Sequence, residues 1–256
     1  MRNNKVKNSK KTKKRKNWLF KFLSKIVSGI YGKKKLVGLE NIPTEPAIIV
    51  GNHAQIHGPL SAELKFPYKK SIWCIGALMN MKEAPAYAMD DFFKYKSKKP
   101  LWFYKMLAYI SAVVSVYMYK HADVIGVYKD LRGITTFKKS LRAIKDGDHI
   151  IIFPECHTEF NEIVNEFQTK FVDLARLYFK DSGKEISFVP MYNAAKLKTI
   201  VFGKPIKFDS SAPIDEQRKT VCDYLKNQIT IMAKELPEHT VIPYANISKK
   251  KYPKSK

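Results

Sequence analysis

A histidine and a glutamate stand near the ends of two short apolar runs that lie about a hundred residues apart. Asn52 and His53 come soon after the run 47–50, and Glu155 follows the run 150–153 after a single proline. Such runs are typical of buried strands, and catalytic groups of α/β proteins commonly lie just past the carboxyl ends of those strands. An imidazole and a carboxylate in these positions can transfer protons, so the pattern favours an enzyme over a scaffold.

The rest of the chain alternates apolar runs with segments of helical periodicity. The predicted strands are 47–50, 72–76, 124–128, 149–153, 186–190 and 199–202. Apolar residues at helical spacing between Ile134 and Ile144 predict one helix, and further helices are predicted at about 168–180 and 214–235. Strands that alternate with helices form mainly parallel sheets, so the predicted fold class is α/β, with helices flanking the sheet.

The first part of the chain is strongly basic. Residues 1–35 hold 14 of the 47 lysines and arginines and no acidic residue, so the remainder carries +10 of the net charge of +24. Within it, residues 17–31 gather lysines and serines on one narrow helical face and fill the other faces with aromatic and aliphatic side chains. A basic leader before such a helix predicts an amphipathic anchor in a membrane interface. The alternative is a helix that covers the protein's own core.

One long apolar segment interrupts the alternation of strands and helices. Residues 101–119 contain no acidic residue and one basic residue, Lys105, and are long enough to cross a membrane. A single crossing would leave His53 and Glu155 on opposite sides of the bilayer. We therefore expect a helix that is buried in the protein or lies partly in one leaflet, with an ordinary core helix as the alternative.

The composition limits the partners and the compartment. A surplus of positive charge predicts an anionic partner, such as a membrane surface, a phosphorylated substrate, an acidic carrier protein or nucleic acid. The three cysteines, Cys74, Cys156 and Cys222, are too few for a disulfide framework and indicate a reducing compartment. The N-terminal segment lacks the uninterrupted apolar stretch and the cleavage site of a secretory signal.

Five short motifs occur in a fixed order over roughly residues 45–210. They are Asn52-His53, Gly126-Val127-Tyr128-Lys129, Phe153-Pro154-Glu155, Phe188-Val189-Pro190-Met191 and Gly203-Lys204-Pro205-Ile206. In their order and spacing they resemble the motifs of the glycerophospholipid acyltransferase family, whose members acylate glycerol 3-phosphate and lysophosphatidate.

The resemblance implies a reaction and roles for particular residues. An acyltransferase of this family moves a fatty acyl group from acyl-CoA or acyl-carrier protein to a lysophospholipid or glycerol-phosphate acceptor. His53 would be the general base, removing the hydroxyl proton during direct attack on the thioester. Glu155, the second predicted catalytic residue, would lie against the polar end of the acceptor. The implied substrate-binding residues are Asn52, Lys129, Arg132 and Pro154, with the two cations as candidates for the acceptor's phosphate. This chemistry requires no metal and no organic cofactor.

The resemblance also implies an organisation for the chain. Residues 1–35 would form the basic tail and membrane anchor, 36–245 an acyltransferase-like domain, and 246–256 a basic C-terminal tail. The expected partners are an anionic membrane surface, the lysophospholipid or glycerol-phosphate acceptor and an acyl-carrier protein, with no nucleic acid. The expected location is the cytoplasmic face of the cell membrane, as a peripheral or monotopic protein.

The sequence departs from the family's first motif at one position. The family's aspartate, five residues after the histidine, falls at Gly58. That carboxylate would fix the tautomer of the imidazole and stabilise its positive charge. Three explanations stay open: Glu155 supplies the missing carboxylate, His57 or Gln55 orients the histidine, or catalysis is weakened or changed. The glycine that follows the family's Phe-Pro-Glu is replaced by Cys156.

Other functions are compatible with some of these residues. A catalytically impaired relative that binds lipid is the main alternative, because of Gly58. The basic run 1–16 fits a nucleic-acid-binding protein less well, since the aromatic residues follow the cations on a helix rather than alternate with them. Zinc binding by His53, His57 and residues 155–157 lacks a paired-ligand spacing. Cys156 as a nucleophile would need a basic partner.

Overall fold

The computed structural model describes residues 17–93, 99–128, 130–245 and 247–256. The predicted basic run 1–16 and the predicted phosphate ligand Lys129 lie outside these residues.

The strands of the described residues form one large sheet and one hairpin. They are β1 (Lys35–Val37), β2 (Ile48–Gly51), β3 (Lys70–Ile75), β4 (Val124–Val127), β5 (His149–Ile152), β6 (Glu155–Phe160), β7 (Asn165–Phe167), β8 (Ser187–Ala194), β9 (Thr199–Phe202) and β10 (Ile206–Lys207). The large sheet has the order β1-β9-β8-β2-β5-β3-β4, with β10 paired to β8, and β6 pairs with β7.

Most pairs in the large sheet are parallel, which confirms the predicted α/β class. β2 lies between β5 and β8 and is parallel to both, and β5, β3 and β4 continue the parallel order. β8 pairs antiparallel with β9 and with β10. Every residue of β2 and β5 is buried, which is why 48–50 and 150–152 form unbroken apolar runs in the sequence.

Helices and short 3-10 segments connect the strands. The α-helices are α1 (Trp18–Tyr31), α2 (His57–Lys65), α3 (Ala84–Ala88), α4 (Leu101–His121), α5 (Gly133–Lys145), α6 (Asp173–Ser182) and α7 (Ile214–Glu235). A π-helical turn, Met89–Phe93, follows α3. The 3-10 segments are Leu39–Asn41, Gly76–Met79, Thr169–Val172, Ala195–Leu197 and Lys249–Lys251. The predicted helix 168–180 is thus a 3-10 turn followed by α6, and α7 has the predicted bounds.

The helices cover both faces of the sheet. Ile48 and Ile150 point to the side where α5, α6 and α7 pack, and they join one apolar core with residues of these helices. Ile49 and Ile151, one position further along each strand, join a second core on the opposite side with Phe66 at the end of α2. Alternate residues of a strand face opposite sides, so a single apolar run supplies both cores.

Helix α4 is largely exposed, so of the two placements expected for this segment the one buried in the protein is wrong, while the one partly in a leaflet stays a prediction. Only a narrow strip of α4, Tyr104, Ala108 and Ala112, is buried. It packs towards α3, while most of the remaining apolar side chains face outward. Among the described helices, α4 is the one whose length and composition would allow it to cross a membrane. The alternative of an ordinary core helix is contradicted by the same exposure.

Candidate active site

The predicted histidine and glutamate leave the sheet side by side. β2 and β5 are parallel neighbours in which Val50 is opposite Ile152. The chain that follows each strand therefore emerges at the same carboxyl edge of the sheet. There the backbone N–H of His53 donates a hydrogen bond of 2.5 Å to Oε1 of Glu155. The structure thus brings together two residues that lie far apart in the sequence.

The imidazole of His53 lies in an aromatic setting with one polar contact. Phe153 and Tyr244 meet its ring edge-on, with centroid distances of 5.6 Å and 5.2 Å. Its Nδ1 hydrogen-bonds to the main-chain carbonyl of Gln55. A carbonyl oxygen can only accept, so Nδ1 carries the proton and Nε2 of the neutral ring is the basic nitrogen. Burial lowers the pKa of His53, while the Gln55 contact acts in the opposite direction. The neutral, basic form therefore predominates at pH 7.

A turn of unusual backbone conformation aims that carbonyl at the ring. Ala54 and Gln55 have φ values of 45° and 55°, in the left-handed region that non-glycine residues seldom adopt. The side chain of Gln55 is held in place, since its Nε2 donates to the hydroxyl of Tyr252 at 2.8 Å and to the carbonyl of Ala245 at 3.4 Å. Of the explanations for the missing aspartate, these contacts agree with orientation by Gln55, through its main chain.

Position 58 has no space for a side chain. A Cβ added to Gly58 would lie 2.5 Å from the carbonyl oxygen of His53 and 2.6 Å from that of Asn52. The N–H of Gly58 also donates to the His53 carbonyl at 2.9 Å, which closes the turn before α2. Glycine is therefore a packing requirement of this turn, because both obstructing atoms belong to the backbone.

Glu155 holds the histidine loop through the main chain. Its second oxygen accepts the N–H of Asn165 at 2.8 Å, so both carboxylate oxygens receive a backbone donor. The residue is only 3% exposed, and burial raises the pKa of Glu155 to about 7 against the effect of these two hydrogen bonds. The Glu155 carboxylate thus contacts the backbone N–H of His53, and the ring Nδ1 contacts the carbonyl of Gln55.

Two of the predicted substrate-binding residues have structural contacts. Asn52 is buried, and its Oδ1 accepts the N–H of Asn193 at 2.7 Å, which ties the end of β2 to β8. Pro154 is buried, and its carbonyl accepts the N–H of Gln168 at 2.9 Å. Both residues lie next to members of the site and stabilise the course of the backbone there.

Arg132, the other predicted phosphate ligand, is paired with protein carboxylates. Its guanidinium forms ion pairs of 2.8 Å with Glu83 and with Asp130, and it lies over the ring of Tyr128 at 4.3 Å. Two negative charges therefore already surround it. A substrate phosphate would have to compete with them.

Two contributors to the site were missed by reasoning from sequence. They are the aromatic residues Tyr244 and Tyr252. Gln55 was among the residues expected to orient His53, but the sequence did not show that its main-chain carbonyl makes the contact. The tyrosines come from the last part of the chain, which was predicted as the end of the domain and a basic tail. In its described part that segment folds back, with the N–H of Ser255 donating to His239 and the N–H of Val241 donating to Pro253. No spacing in the sequence links these residues to His53.

The described residues give little support to zinc binding or to a nucleophilic Cys156. They contain no group of three His, Cys, Asp or Glu side chains arranged to hold a metal ion, although the side chain of His157 is not among them. The thiol of Cys156 donates to the carbonyl of Glu166 at 3.2 Å. A carbonyl oxygen is not the basic partner that thiol activation requires.

The buried Glu155 predicts a pH-dependent stability difference. Its folded-state pKa of about 7 lies above the ordinary value of 4.5, so folding favours its protonated form. This group therefore makes the protein less stable as pH rises between these two values. Relative to a Glu155→Gln variant, the wild-type free energy of unfolding should fall by roughly 2 to 3 kcal/mol from pH 5 to pH 8. Urea unfolding of both proteins at the two pH values measures this. Parallel pH curves would contradict the assignment.

Comparisons with known proteins identify a relative in fold. No family model matches the chain, and no curated protein sequence matches it. Among solved structures, it is similar to the crystal structure of the 1-acyl-sn-glycerophosphate (LPA) acyltransferase PlsC from Thermotoga maritima, with a TM-score of 0.51 and 15% sequence identity. The alignment covers 86% of this chain and 81% of that one. At this identity the comparison shows a common fold: a mainly parallel α/β sheet flanked by helices, like that of PlsC.

Proposed function

We propose that the protein is an acyltransferase that moves a fatty acyl group from acyl-CoA or acyl-carrier protein to a lysophospholipid or glycerol-phosphate acceptor. The observation that carries this proposal is the contact of His53 Nδ1 with the carbonyl of Gln55, which leaves Nε2 as the basic nitrogen at the carboxyl edge of the sheet. The fold of the chain, which resembles that of an LPA acyltransferase, supports the same reaction class.

The proposed reaction is a direct transfer. Nε2 of His53 takes the proton of the acceptor hydroxyl while the hydroxyl oxygen attacks the thioester carbonyl. The new C–O bond forms, the C–S bond breaks, and the thiolate leaves with the proton from the imidazolium. Throughout, Nδ1–H donates to the carbonyl of Gln55, which keeps the ring oriented. A neutral carbonyl stabilises an imidazolium less than a carboxylate would, so we expect a slower enzyme than one with the family's aspartate.

The proposal includes attachment to an anionic membrane by α1 and α4. Trp18 on α1 is 77% exposed and Trp102 on α4 is 65% exposed, and each leads a series of exposed apolar side chains along its helix. The hydroxyl of Tyr117 on α4 donates to Asn17 at 2.8 Å, so the two helices adjoin at the start of α1. Exposed aromatic faces next to an excess of lysine are typical of proteins that lie in an anionic membrane surface. The cytoplasmic face follows from the reducing compartment that the cysteines indicate.

Charged residues on the exposed face of α4 should abolish this attachment. Each large apolar side chain buried in a membrane contributes about 2 kcal/mol, so a Trp102→Asp/Ile110→Asp variant, which loses two of them, should bind vesicles roughly a thousandfold more weakly than the wild type. Flotation with vesicles that contain anionic lipid measures this. The matched control is Leu177→Asp/Ile231→Asp, which changes two exposed apolar residues on α6 and α7. Equal flotation of all three proteins would contradict the role of α4.

The reaction is tested by transfer of labelled acyl groups. The purified full chain is given acyl-CoA or acyl-carrier protein together with a panel of lysophospholipids and glycerol 3-phosphate. Transfer to at least one of these acceptors is expected. A protein that binds vesicles but transfers to none of them would contradict the enzyme and favour the lipid-binding alternative, which the absence of a carboxylate at position 58 motivates.

A further inference from the structure

A cluster of positive charge at the end of α1 takes no part in the proposed proton transfer. Lys34, just after α1, donates from Nζ to Oδ1 of Asn193 at 3.0 Å and lies over the ring of Tyr31 at 4.9 Å. Lys65 on α2 and the exposed Lys196 bring two more cations to the same region. Within the described part of the chain, no carboxylate forms an ion pair with any of these three lysines.

The N–H donor group of a buried amide in this cluster lacks an acceptor in the described structure. Asn193 is 2% exposed. Its Oδ1 accepts from Lys34 and also from the hydroxyl of Ser61 at 3.3 Å, while its Nδ2 has no hydrogen-bond acceptor in the described structure. Buried N–H groups are nearly always satisfied, so an unpaired donor beside a lysine points to an oxygen-rich ligand that is absent from the structure.

The electrostatics of the cluster favour a negative ligand. Burial, with a smaller effect of Lys65, lowers the pKa of Lys34 to about 8. Burial and the charges of Lys34 and Lys196 lower the pKa of His57, whose Nδ1 is 2.5 Å from the hydroxyl of Tyr31. Burial is the larger cause of both shifts, and the smaller Coulombic contributions come from neighbouring lysines, so positive charges lie close together here. A bound anion would relieve their repulsion.

We propose that Lys34 and Asn193, with Lys65 beside them, form a binding site for a phosphate monoester. The lysine ammonium and the free Nδ2–H would donate to its oxygens, and such charge-assisted hydrogen bonds are the strong ones in proteins. Asn193 also donates its main-chain N–H to Asn52, the residue directly before His53. Asn52 therefore connects the proposed phosphate site to His53, the proposed base. That the phosphate is the one of a glycerol-phosphate acceptor rests on the proposed function.

The test measures binding of glycerol 3-phosphate by calorimetry, without turnover. Lys34→Met removes the cation, and Asn193→Asp keeps the acceptor of Lys34 while replacing the free donor with an oxygen. Both should weaken binding at least tenfold, whereas Lys34→Arg and the control Lys234→Met, an exposed lysine on α7, should stay within about threefold of the wild type. Circular dichroism establishes that each variant is folded. No binding by the wild type, or equal binding by Lys34→Met, would overturn the site.

A pH series gives a readout that depends on Lys34 itself. Glycerol 3-phosphate is almost fully doubly charged above pH 7, since the second pKa of a phosphate ester is about 6. Affinity of the wild type should fall from pH 7 to pH 9 as Lys34 loses its proton, and Lys34→Arg should not show this fall. The other titratable groups that act on Lys34 or on its neighbour His57 are Tyr31, Lys65 and Lys196, and they all remain in the Arg variant together with His57. The same pH dependence in both proteins would contradict the proposal.

Further ligands distinguish the source of the phosphate and separate the two proposals. Adenosine 3′-phosphate represents the phosphate of CoA, and phosphatidate vesicles represent a membrane lipid. Stronger binding of either than of glycerol 3-phosphate would overturn the acceptor assignment. In transfer assays, Lys34→Met should raise KM for a phosphate-bearing acceptor and leave monoacylglycerol unaffected. If the wild type transfers nothing but binds glycerol 3-phosphate through Lys34, the phosphate site stands and the acyltransferase proposal fails.

Discussion

Replacing His53 by alanine is expected to lower kcat/KM for acyl transfer by about 10² to 10⁴, the range that a general base contributes. The side chain supplies the one basic nitrogen that the Gln55 contact leaves free. Glu155 contacts residue 53 only through the backbone N–H of that residue. The variant keeps this N–H, so the loop should remain folded. The measurement is transfer of a labelled acyl group by matched amounts of wild type and variant.

The rate of the wild type should also depend on pH with a definite sign. Burial lowers the pKa of His53 from its ordinary 6.5, so the ring is neutral and basic at pH 7 and gains a proton only in more acidic solution. Transfer should therefore fall in acidic solution, with a midpoint below pH 6.5. Lys234→Met, a change at an exposed position on α7, is the control and should keep wild-type transfer. Equal transfer by wild type and His53→Ala would reject His53 as the base and turn attention to Cys156.

Introducing the family's aspartate at position 58 is expected to inactivate the protein rather than improve it. The first side-chain carbon of Gly58→Asp would lie 2.5 Å and 2.6 Å from two backbone oxygens, those of His53 and Asn52. The turn would have to move, and the new carboxylate would lie among backbone carbonyl oxygens, which cannot donate hydrogen bonds to it. Overpacking and unpaired burial of this kind lower the free energy of unfolding by about 3 kcal/mol or more. Chemical denaturation and the transfer assay measure the two effects.

A smaller substitution isolates the steric part of this prediction. Gly58→Ala should be destabilising by about 1 to 3 kcal/mol and should reduce transfer, because its Cβ meets the same oxygens. The matched control is Gly29→Ala on α1, where an added Cβ would have nothing within 4 Å and where alanine favours the helix. Higher transfer by Gly58→Asp than by the wild type would show that the turn rearranges to bring a carboxylate to the imidazole. The Gln55 carbonyl would then not be the required partner.

The sheet and its edge were predictable because burial on both faces leaves a simple pattern. The runs 47–50 and 150–153 are apolar throughout since they belong to the central strands, and their ends locate His53 and Glu155. The hairpin of β6 and β7 was missed because its sequence is mixed and polar. The sequence left the burial of α4 open because a core helix and a helix that lies in a membrane have the same composition; only packing distinguishes them.

The main residues of the candidate site were predictable, but the contacts among them were not. The pairing of a histidine loop with Glu155 follows from parallel strands, yet the sequence does not show that the carboxylate meets the backbone and that a carbonyl meets the ring. The left-handed turn at Ala54 and Gln55 contains no glycine, the residue from which such a turn is usually predicted. Tyr244 and Tyr252 reach the loop through tertiary folding alone, which no local pattern encodes.

The turn at Ala54 and Gln55 has a consequence for how the molecule becomes active during folding. A left-handed conformation at a non-glycine residue costs about 1 to 3 kcal/mol and persists only where surrounding structure enforces it. Part of that enforcement comes from Tyr252, which lies 197 residues further along the chain. Contacts across such a separation form late, because closing so long a loop has to await the rest of the fold. Helices and central strands should therefore assemble first, and competence for catalysis should be the last property that a refolding chain regains.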